Sequence, residues 1–253
     1  GETFVRWFAA LAAGFAQNGA QVSAALRALT EKVFVTSRLF AGCSGALDAG
    51  VLARLIAALP QGTLGETAAH KRYDAAACAV EIPADVGFCA LGHNLYALGS
   101  GYSGACPVLS SLVSFGYLWN AVRVQGGAYG TGMNVRRSGD IFCYSYRDPN
   151  LGNTRAAFDA IADFIEDFAA QGMPLDDIII GAVNTTDPLL DPAGVCESQC
   201  VRALKGVTPE DLARTRRELL ATRPADLAAM AGVLRRYAHE GKFCTFSGAN
   251  GGA

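Results

Sequence analysis

The segment from residue 139 to residue 147 constrains the fold more than any other part of the chain, because two kinds of side chain alternate along it. One set is small or aliphatic and the other aromatic: Ile141, Cys143 and Ser145 against Phe142, Tyr144 and Tyr146. This period of two predicts a β-strand with two different faces. The sequence Asp148-Pro149-Asn150 then ends the strand.

An amphipathic helix is predicted directly after this strand. Asn153 or Thr154 can cap its start, and Gly172 and Pro174 end it. Its apolar residues recur at helical spacing: Phe158, Ile161, Phe164, Ile165 and Phe168. The acidic residues between them are expected to face water: Asp159, Asp163, Glu166 and Asp167.

The rest of the chain alternates between helix and strand patterns without a long linker. Helices are predicted over 7–29 with an interruption at Gly19, from an Asp48 cap to Leu59, over 107–119, from a Thr208 cap onward, and over 224–239. Strands are predicted over 33–40, 86–91 and 243–246, and a loop over 61–75. The run 176–183 is too short for its period to separate strand from buried helix. This alternation predicts one α/β or α+β domain.

Composition excludes several classes of protein. Hydrophobic residues make up 51% and charged residues 17% of the 253 residues, which favours a folded chain with a sizeable core. A net charge of -2 provides no attraction for nucleic acid or an anionic membrane. No stretch reaches the roughly 18 apolar residues of a membrane helix, and Glu2 argues against reading Trp7 to Ala16 as a signal peptide. We therefore expect no nucleic-acid partner and no membrane partner.

The cysteines indicate buried thiols in a reducing compartment. Eight are scattered along the chain without a C-x-x-C pair: Cys43, Cys78, Cys89, Cys106, Cys143, Cys196, Cys200 and Cys244. Only Cys196 and Cys200 have the spacing to share a helical face, and the three histidines are isolated: His70, His93 and His239. Neither H-E-x-x-H nor H-x-x-E-H occurs, so no metal site is expected in this chain.

Residues 99–104 match the G-x-G-x-x-G pattern of a dinucleotide-binding turn and lie between a predicted strand and a predicted helix. The acidic residue expected about 20 positions later is missing. An ordinary loop is therefore the preferred interpretation. No Walker loop and no G-x-S-x-G nucleophile elbow is present.

The segment from Arg123 to Gly132 is unusually dense in glycine. Glycines here allow another chain to come close and leave backbone amides free to bind it. Arg123 offers a planar set of donors and Tyr129 a phenol, both suited to a carbonyl oxygen or a developing oxyanion. A flexible connection from helix to strand with a structural arginine is an equally good interpretation of these residues.

The pattern R-V-x-G-G-A-Y-G in this segment, followed by a strand that ends in S-Y-R-D-P-N and by a capped amphipathic helix, resembles the C-terminal half of the insulinase-like (pitrilysin) zinc metallopeptidases. The presequence-protease branch is the most similar. The resemblance extends from about Val33 to the last helices. It implies an α/β roll, a mostly antiparallel sheet with helices packed on one face, and a helix at 176–183.

The resemblance also implies a role for the chain. In this family four similar domains form two halves around a chamber, and the N-terminal half holds the zinc. Carried over to this chain, Arg123 and Tyr129 are catalytic residues that reach the substrate beside the zinc. Gly126 and Gly127 shape the turn between them and help to bind substrate. Thr131 stands where many relatives have a second glycine, which leaves the fit of the substrate open.

We therefore expect residues 1–253 to be a single C-terminal domain, with a leading helical segment at 1–30, cut from a longer chain. The expected function is the non-zinc-binding part of a zinc metalloendopeptidase, inactive alone. Its partners would be a peptide substrate and the N-terminal half of the same polypeptide, in a reducing compartment or an organelle matrix that the residues do not specify. The alternatives are a non-catalytic structural or peptide-binding homologue and a nucleotide-binding oxidoreductase built on residues 99–104.

Overall fold

The computed structural model describes residues 2–46, 48–62 and 76–248. The chain divides into two compact units: Gly1–Arg72 with Leu190–Gly206, and Tyr73–Leu189 with Val207–Ala253. This division reflects contacts within the chain. The expectation of a single C-terminal domain over 1–253 stays a prediction, and His70 and residues 63–75 of the expected loop lie outside the described residues.

A five-stranded sheet forms the centre of the larger unit. The strands are β1 (Cys78–Glu81), β2 (Gly87–Asn94), β3 (Gly130–Val135), β4 (Asp140–Asp148) and β5 (Lys242–Ser247). Their order in the sheet is β1-β5-β2-β4-β3, with β1 parallel to β5 and every other pair antiparallel. The predicted α+β class with a mostly antiparallel sheet is confirmed. The prediction missed β1 and β3.

Helices make up most of the remaining described chain. In chain order they are α1 (Glu2–Ala13), α2 (Phe15–Val33), a 3₁₀ turn (Thr36–Arg38), α3 (Ala49–Ala58), α4 (Ala105–Ser111), a wider π-helical segment (Leu112–Gln125), α5 (Leu151–Asp159), α6 (Ile161–Ala170), α7 (Asp176–Thr186), α8 (Pro192–Leu204), α9 (Pro209–Leu220), α10 (Pro224–Ala228) and α11 (Ala231–Glu240). α8 was not predicted, whereas the helix that the resemblance implied at 176–183 is confirmed as α7.

Alternate residues of strand β4 lie on two different faces of the sheet, one covered by helices and one open. Ile141, Cys143 and Ser145 are at most 2% exposed, and the aromatic residues between them lie on the other face, as predicted. On the covered face the Tyr237 hydroxyl of α11 donates to the Leu91 carbonyl at 2.7 Å and accepts from the Cys143 amide at 2.9 Å. The helices that pack on this face therefore complete the core of the larger unit.

Burial divides the cysteines into two groups. Cys89, Cys106 and Cys143 are buried, whereas Cys43 is exposed and the other four are half-buried. Burial raises the pKa of the Cys143 thiol to about 12 and that of Cys89 to about 11, because the core disfavours the charged thiolate. The prediction of buried thiols is right for these three and wrong for the others.

The N-terminal region differs most from the prediction. The helix begins earlier, and its break falls at Gly14, whereas Gly19 lies within α2 beside the Phe15 ring. The strand predicted over 33–40 is wrong. Helical hydrogen bonding continues to the Phe34 amide, which donates to the Thr30 carbonyl at 2.9 Å, and a 3₁₀ turn follows. A short apolar run does not by itself separate the end of a helix from a strand.

Most of the predicted helix caps are confirmed. Asp48 accepts hydrogen bonds from two amides at the start of α3, and Thr208 forms a reciprocal capping box with Asp211 in α9. The cap predicted at Asn153 or Thr154 is wrong. Asn150 caps α5 instead, because its side chain accepts from the Asn153 amide at 3.1 Å.

Element boundaries also shift. The helix predicted from a cap at Asn153 or Thr154 to its end at Gly172 is broken at Ala160 into α5 and α6, and the helix predicted over 224–239 is two helices, α10 and α11. Strand β2 runs three residues beyond the predicted end at Leu91, to Asn94. Hydrophobic spacing located these elements correctly and placed their ends less well.

The helix predicted over 107–119 extends over Ala105–Gln125, and within the described residues it is the one helix long and apolar enough to cross a membrane by length and composition. The expectation that no stretch reaches this length is therefore corrected. Leu109, Val113 and Leu118 of this helix are fully buried in the core of the larger unit. Core packing accounts for its apolar composition.

Candidate functional site

The turn between the π-helical segment and β3 positions the residues that the resemblance singled out. Gly126 follows the last helical residue, and a side chain there would approach the Val122 carbonyl oxygen to 2.5 Å. Gly127 has a φ of +81°, a conformation that residues with a side chain rarely adopt. The Gly127 amide donates to the Arg123 carbonyl at 3.0 Å, so this turn ends the helix within reach of β3.

Arg123 and Tyr129 lie next to each other across this turn. The guanidinium carbon of Arg123 lies 5.9 Å from the centroid of the Tyr129 ring and 4.0 Å from that of Trp119. Tyr129 is 58% exposed, and Arg123 is half-buried. The Trp119 ring therefore supports the guanidinium, and the phenol remains free to meet a ligand.

The glycines of β3 make room for two tyrosines of β4. Gly130 pairs with Tyr146 and Gly132 with Tyr144. A side chain at Gly130 would overlap the Tyr146 ring, and one at Gly132 would lie 3.0 Å from the Tyr144 hydroxyl. Sequence reasoning missed this arrangement, although G-x-G and Y-x-Y at matching spacing were visible in the sequence.

Tyrosine rings continue the site along the open face of the sheet. The Tyr129 and Tyr146 ring centroids are 5.5 Å apart with an interplanar angle of 60°, and those of Tyr146 and Tyr144 are 6.4 Å apart at 20°. Rings arranged in this way offer apolar area with polar hydroxyl groups. The open face therefore presents an aromatic surface whose hydroxyl groups can donate or accept hydrogen bonds.

A groove of about 610 Å³ lies beside β3 in the larger unit. Phe115, Trp119, Tyr129 and Thr131 are among the residues that line it, and Arg123 is the only charged residue of the lining within the described part of the chain. The Ser114 hydroxyl accepts from the Met133 amide at 2.9 Å, and that of Ser110 from the Val135 amide at 3.1 Å. These hydroxyls take up two backbone amides near the Val135 end of the edge strand, and the groove runs along the strand from Gly130 to Val135.

The described residues around this site include no cluster of metal-binding side chains. Within the described ranges, no group of three or more His, Cys, Asp or Glu residues could hold a metal ion. His93 instead lies beside Glu240, with 4.0 Å between Nε2 and Oε2.

The loop at residues 99–104 packs closely against α9 at Gly104. A side chain at Gly104 would overlap the backbone of α9. The Gly104 amide donates to the Glu218 carboxylate at 2.8 Å, so the chain's own acid occupies the donor that a phosphate would need. This geometry disfavours the nucleotide-binding alternative.

Comparison with known sequences identifies relatives of this chain. Residues 78–246 match the family described as "PreP C-terminal domain". The chain is 35% identical over 160 residues to "Protein HypA" of Clostridium perfringens, covering 63% of this chain and 16% of that protein. It is 35% identical over 157 residues to "Presequence protease 1, chloroplastic/mitochondrial" of Arabidopsis thaliana, covering 62% and 14%. The matched part is thus about a sixth of the length of these curated relatives.

Solved structures share the fold. A peptidase M16 inactive domain from Pseudomonas fluorescens has a TM-score of 0.53 and 12% identity, covering 79% of this chain and 50% of that one. A protease from Helicobacter pylori has a TM-score of 0.51 and 14% identity, covering 79% and 53%. The family match over residues 78–246 includes the turn with Arg123 and Tyr129. It also includes the whole sheet except for Ser247 at the end of β5. The chain therefore belongs to the PreP C-terminal domain family, a C-terminal domain type of the insulinase-like peptidases.

Proposed function

We propose that this chain is the non-zinc-binding C-terminal part of a zinc metalloendopeptidase that degrades oligopeptides in an enclosed chamber. The observation that supports this proposal most is the proximity of Arg123 and Tyr129 beside a groove of about 610 Å³. The guanidinium carbon of Arg123 lies 5.9 Å from the centroid of the Tyr129 ring. A peptide is the ligand class that fits best, because the site combines aromatic surface with donors for carbonyl oxygens.

Arg123 and Tyr129 would act on the peptide carbonyl group. The Tyr129 hydroxyl would donate a hydrogen bond to the carbonyl oxygen as negative charge develops on it. Arg123, supported by Trp119 at 4.0 Å, would present its N–H groups in a fixed plane and hold a neighbouring part of the peptide backbone. Such donors favour the reaction most when they are oriented before the substrate arrives.

Zinc would be held outside this chain. The described residues offer no set of metal ligands, so we assign the metal to the N-terminal half of the same polypeptide, where it would supply activation of the attacking water. On this proposal the chain alone is inactive. Its contribution is to bind and orient the peptide.

The smaller unit supports pairing with a further part of a longer polypeptide. Phe4, Trp7 and Phe8 of α1 are each more than half exposed, and the Phe4 ring lies within 5.9 Å of both neighbours. An exposed apolar cluster of this kind is typical of an interaction surface. We assign it to contact with the N-terminal half. The free thiols in the core of the larger unit support a reducing compartment.

The proposal is tested by the substitution Tyr129→Phe in the full-length parent protein. Loss of one oxyanion donor typically lowers kcat by about 10²- to 10³-fold, and we expect that loss with zinc content unchanged. The control is Tyr96→Phe, which removes a hydroxyl that donates to the Arg137 carbonyl at 2.8 Å and lies outside the groove. Wild-type turnover from the Tyr129 variant would contradict the proposal.

A non-catalytic peptide-binding homologue is the second candidate. The same tyrosine and arginine groups could hold a peptide without any metal, and the described residues supply no metal ligands. Peptide titration of a full-length parent that has no peptidase activity separates the two functions. Saturable binding that is lost in the Tyr129→Phe variant would favour this second candidate.

A further inference from the structure

Arg147 occupies an irregular position at the end of β4. In the pairing of β2 with β4, Gly87 pairs with Asp148 and Phe88 with Tyr146, so Arg147 is the extra residue of a β-bulge. Its φ is +50°, and among the described residues it is the only non-glycine residue with a positive φ. Bulges and left-handed residues of this kind often direct a side chain at a functional site.

The bulge turns Arg147 towards Tyr129. Two successive residues, Tyr146 and Arg147, are exposed where the alternation of β4 would have buried one of them. The Arg147 guanidinium carbon lies 5.6 Å from the centroid of the Tyr129 ring. The Arg147 carbonyl also accepts from the Tyr129 amide at 3.3 Å, so one residue supports the backbone of Tyr129 and faces its ring.

A buried carboxylate fixes this bulge. Asp148 is 1% exposed and accepts from the Ser145 and Thr154 hydroxyls, each at 2.6 Å, and from the Asn150 amide at 2.8 Å. Its oxygens are therefore occupied within the fold. No carboxylate among the described residues lies within 4.0 Å of the Arg147 or Arg123 guanidinium group.

We propose that Arg123 and Arg147 together form a binding subsite for a peptide carboxylate beside Tyr129. Both guanidinium carbons lie within 5.9 Å of the centroid of one phenol ring, and Arg123 lines a groove with no acidic residue among the described residues of its lining. Two guanidinium groups beside one ring, with no carboxylate of the described residues within 4.0 Å of either, favour an anion, and the planar guanidinium pairs with carboxylates in two-point geometry. The carboxylate comes from an acidic side chain or from the peptide C-terminus.

This subsite rests on the proposed peptide-binding function, and its test uses the full-length parent protein. One peptide sequence is prepared with Glu or Gln at an internal position, and each form with a free or an amidated C-terminus. We expect the wild-type protein to show a KM roughly 10- to 100-fold lower for the form with the recognised carboxylate, since hydrogen bonds to charged groups are strong. A Glu-over-Gln preference identifies a side chain, and an acid-over-amide preference identifies the C-terminus.

The substitution Arg147→Asn removes the charge while keeping a residue that tolerates positive φ. We expect this variant to lose the carboxylate preference through a higher KM for the carboxylate form, because the lost contact binds substrate rather than the transition state. Arg147→Gly repeats the test with the residue most suited to this backbone. Arg136→Asn is the matched control, because Arg136 is exposed and its guanidinium lies over Phe142 at 5.0 Å.

Each outcome decides between the two proposals. If the wild-type protein shows no carboxylate preference, or if both Arg147 variants keep it, the subsite is overturned. If Arg136→Asn removes the preference equally, the effect is one of overall charge and the subsite is also overturned. Failure of the proposed peptidase function shows separately, as wild-type turnover in Tyr129→Phe.

Discussion

The two faces of β4 differ in their surroundings: one packs into the core, and the other lies at the candidate site. On the covered face Ile141 and Cys143 are at most 1% exposed and pack under the helices, so their contribution is to stability. On the open face Tyr144 and Tyr146 lie over glycines of β3 and lead to Tyr129. Because successive residues of one strand have such different surroundings, substitutions one or three positions apart separate effects on stability from effects on the proposed peptide binding.

Arginines on the two sides of the sheet differ in whether they have an acidic partner. On the helical side, Arg235 pairs with Asp163 at 2.8 Å and with Glu166 at 2.5 Å. At the open face, Arg123 and Arg147 face an aromatic ring instead of a carboxylate. The charge of Arg235 is matched by acidic partners within the fold, whereas arginines whose counterion is not within the fold are suited to bind one.

The largest effect on stability is expected on the covered face. Ile141→Ala removes a side chain that is 1% exposed, and it should lower the free energy of unfolding by about 2–5 kcal/mol because a cavity remains. Tyr144→Ala on the open face should change it by less than about 1 kcal/mol, since only cross-strand contacts are lost. Urea unfolding of both variants measures the difference. Equal losses would remove the distinction between the faces.

A smaller effect on stability is expected where glycines of β3 contact tyrosines of β4 on the open face. In Gly130→Ala the new methyl group overlaps the outer part of the Tyr146 ring, and because that ring is 38% exposed and can shift, the cost should be about 1 kcal/mol. Gly101→Ala is the matched control, because no atom lies within 4 Å of its added methyl group. The same unfolding measurement applies. A neutral Gly130→Ala variant would show that the tyrosine rings do not depend on this glycine.

The sequence predicts the fold best where local pattern and tertiary packing agree. The alternation in β4 and the Thr208 cap of α9 depend on neighbouring residues, and both are present as predicted. β3 was missed because glycine has no strand preference of its own. That strand is stabilised by pairing with β4, which no local window contains.

The residues by themselves did not single out the candidate site, whereas the resemblance did, and the roles that it implies stay a prediction. Glycine density and residue chemistry left Arg123 and Tyr129 divided between a structural and a functional interpretation. The stacking of Arg123 on Trp119 could have been anticipated, since the two are four residues apart in one helix. The role of Arg147 could not, because its bulge exists only in the register between β2 and β4.

The central claim is that Arg123 and Tyr129 act together on a peptide, and a double-mutant cycle in the full-length parent tests it most directly. The measurement is kcat/KM for Arg123→Met, Tyr129→Phe and the double variant, at equal zinc content. We predict that each single substitution lowers kcat/KM by about 10²-fold or more and that the double variant loses much less than the product of the two, because they act as a unit. Wild-type kcat/KM in either single variant, or losses that multiply fully, would contradict the account.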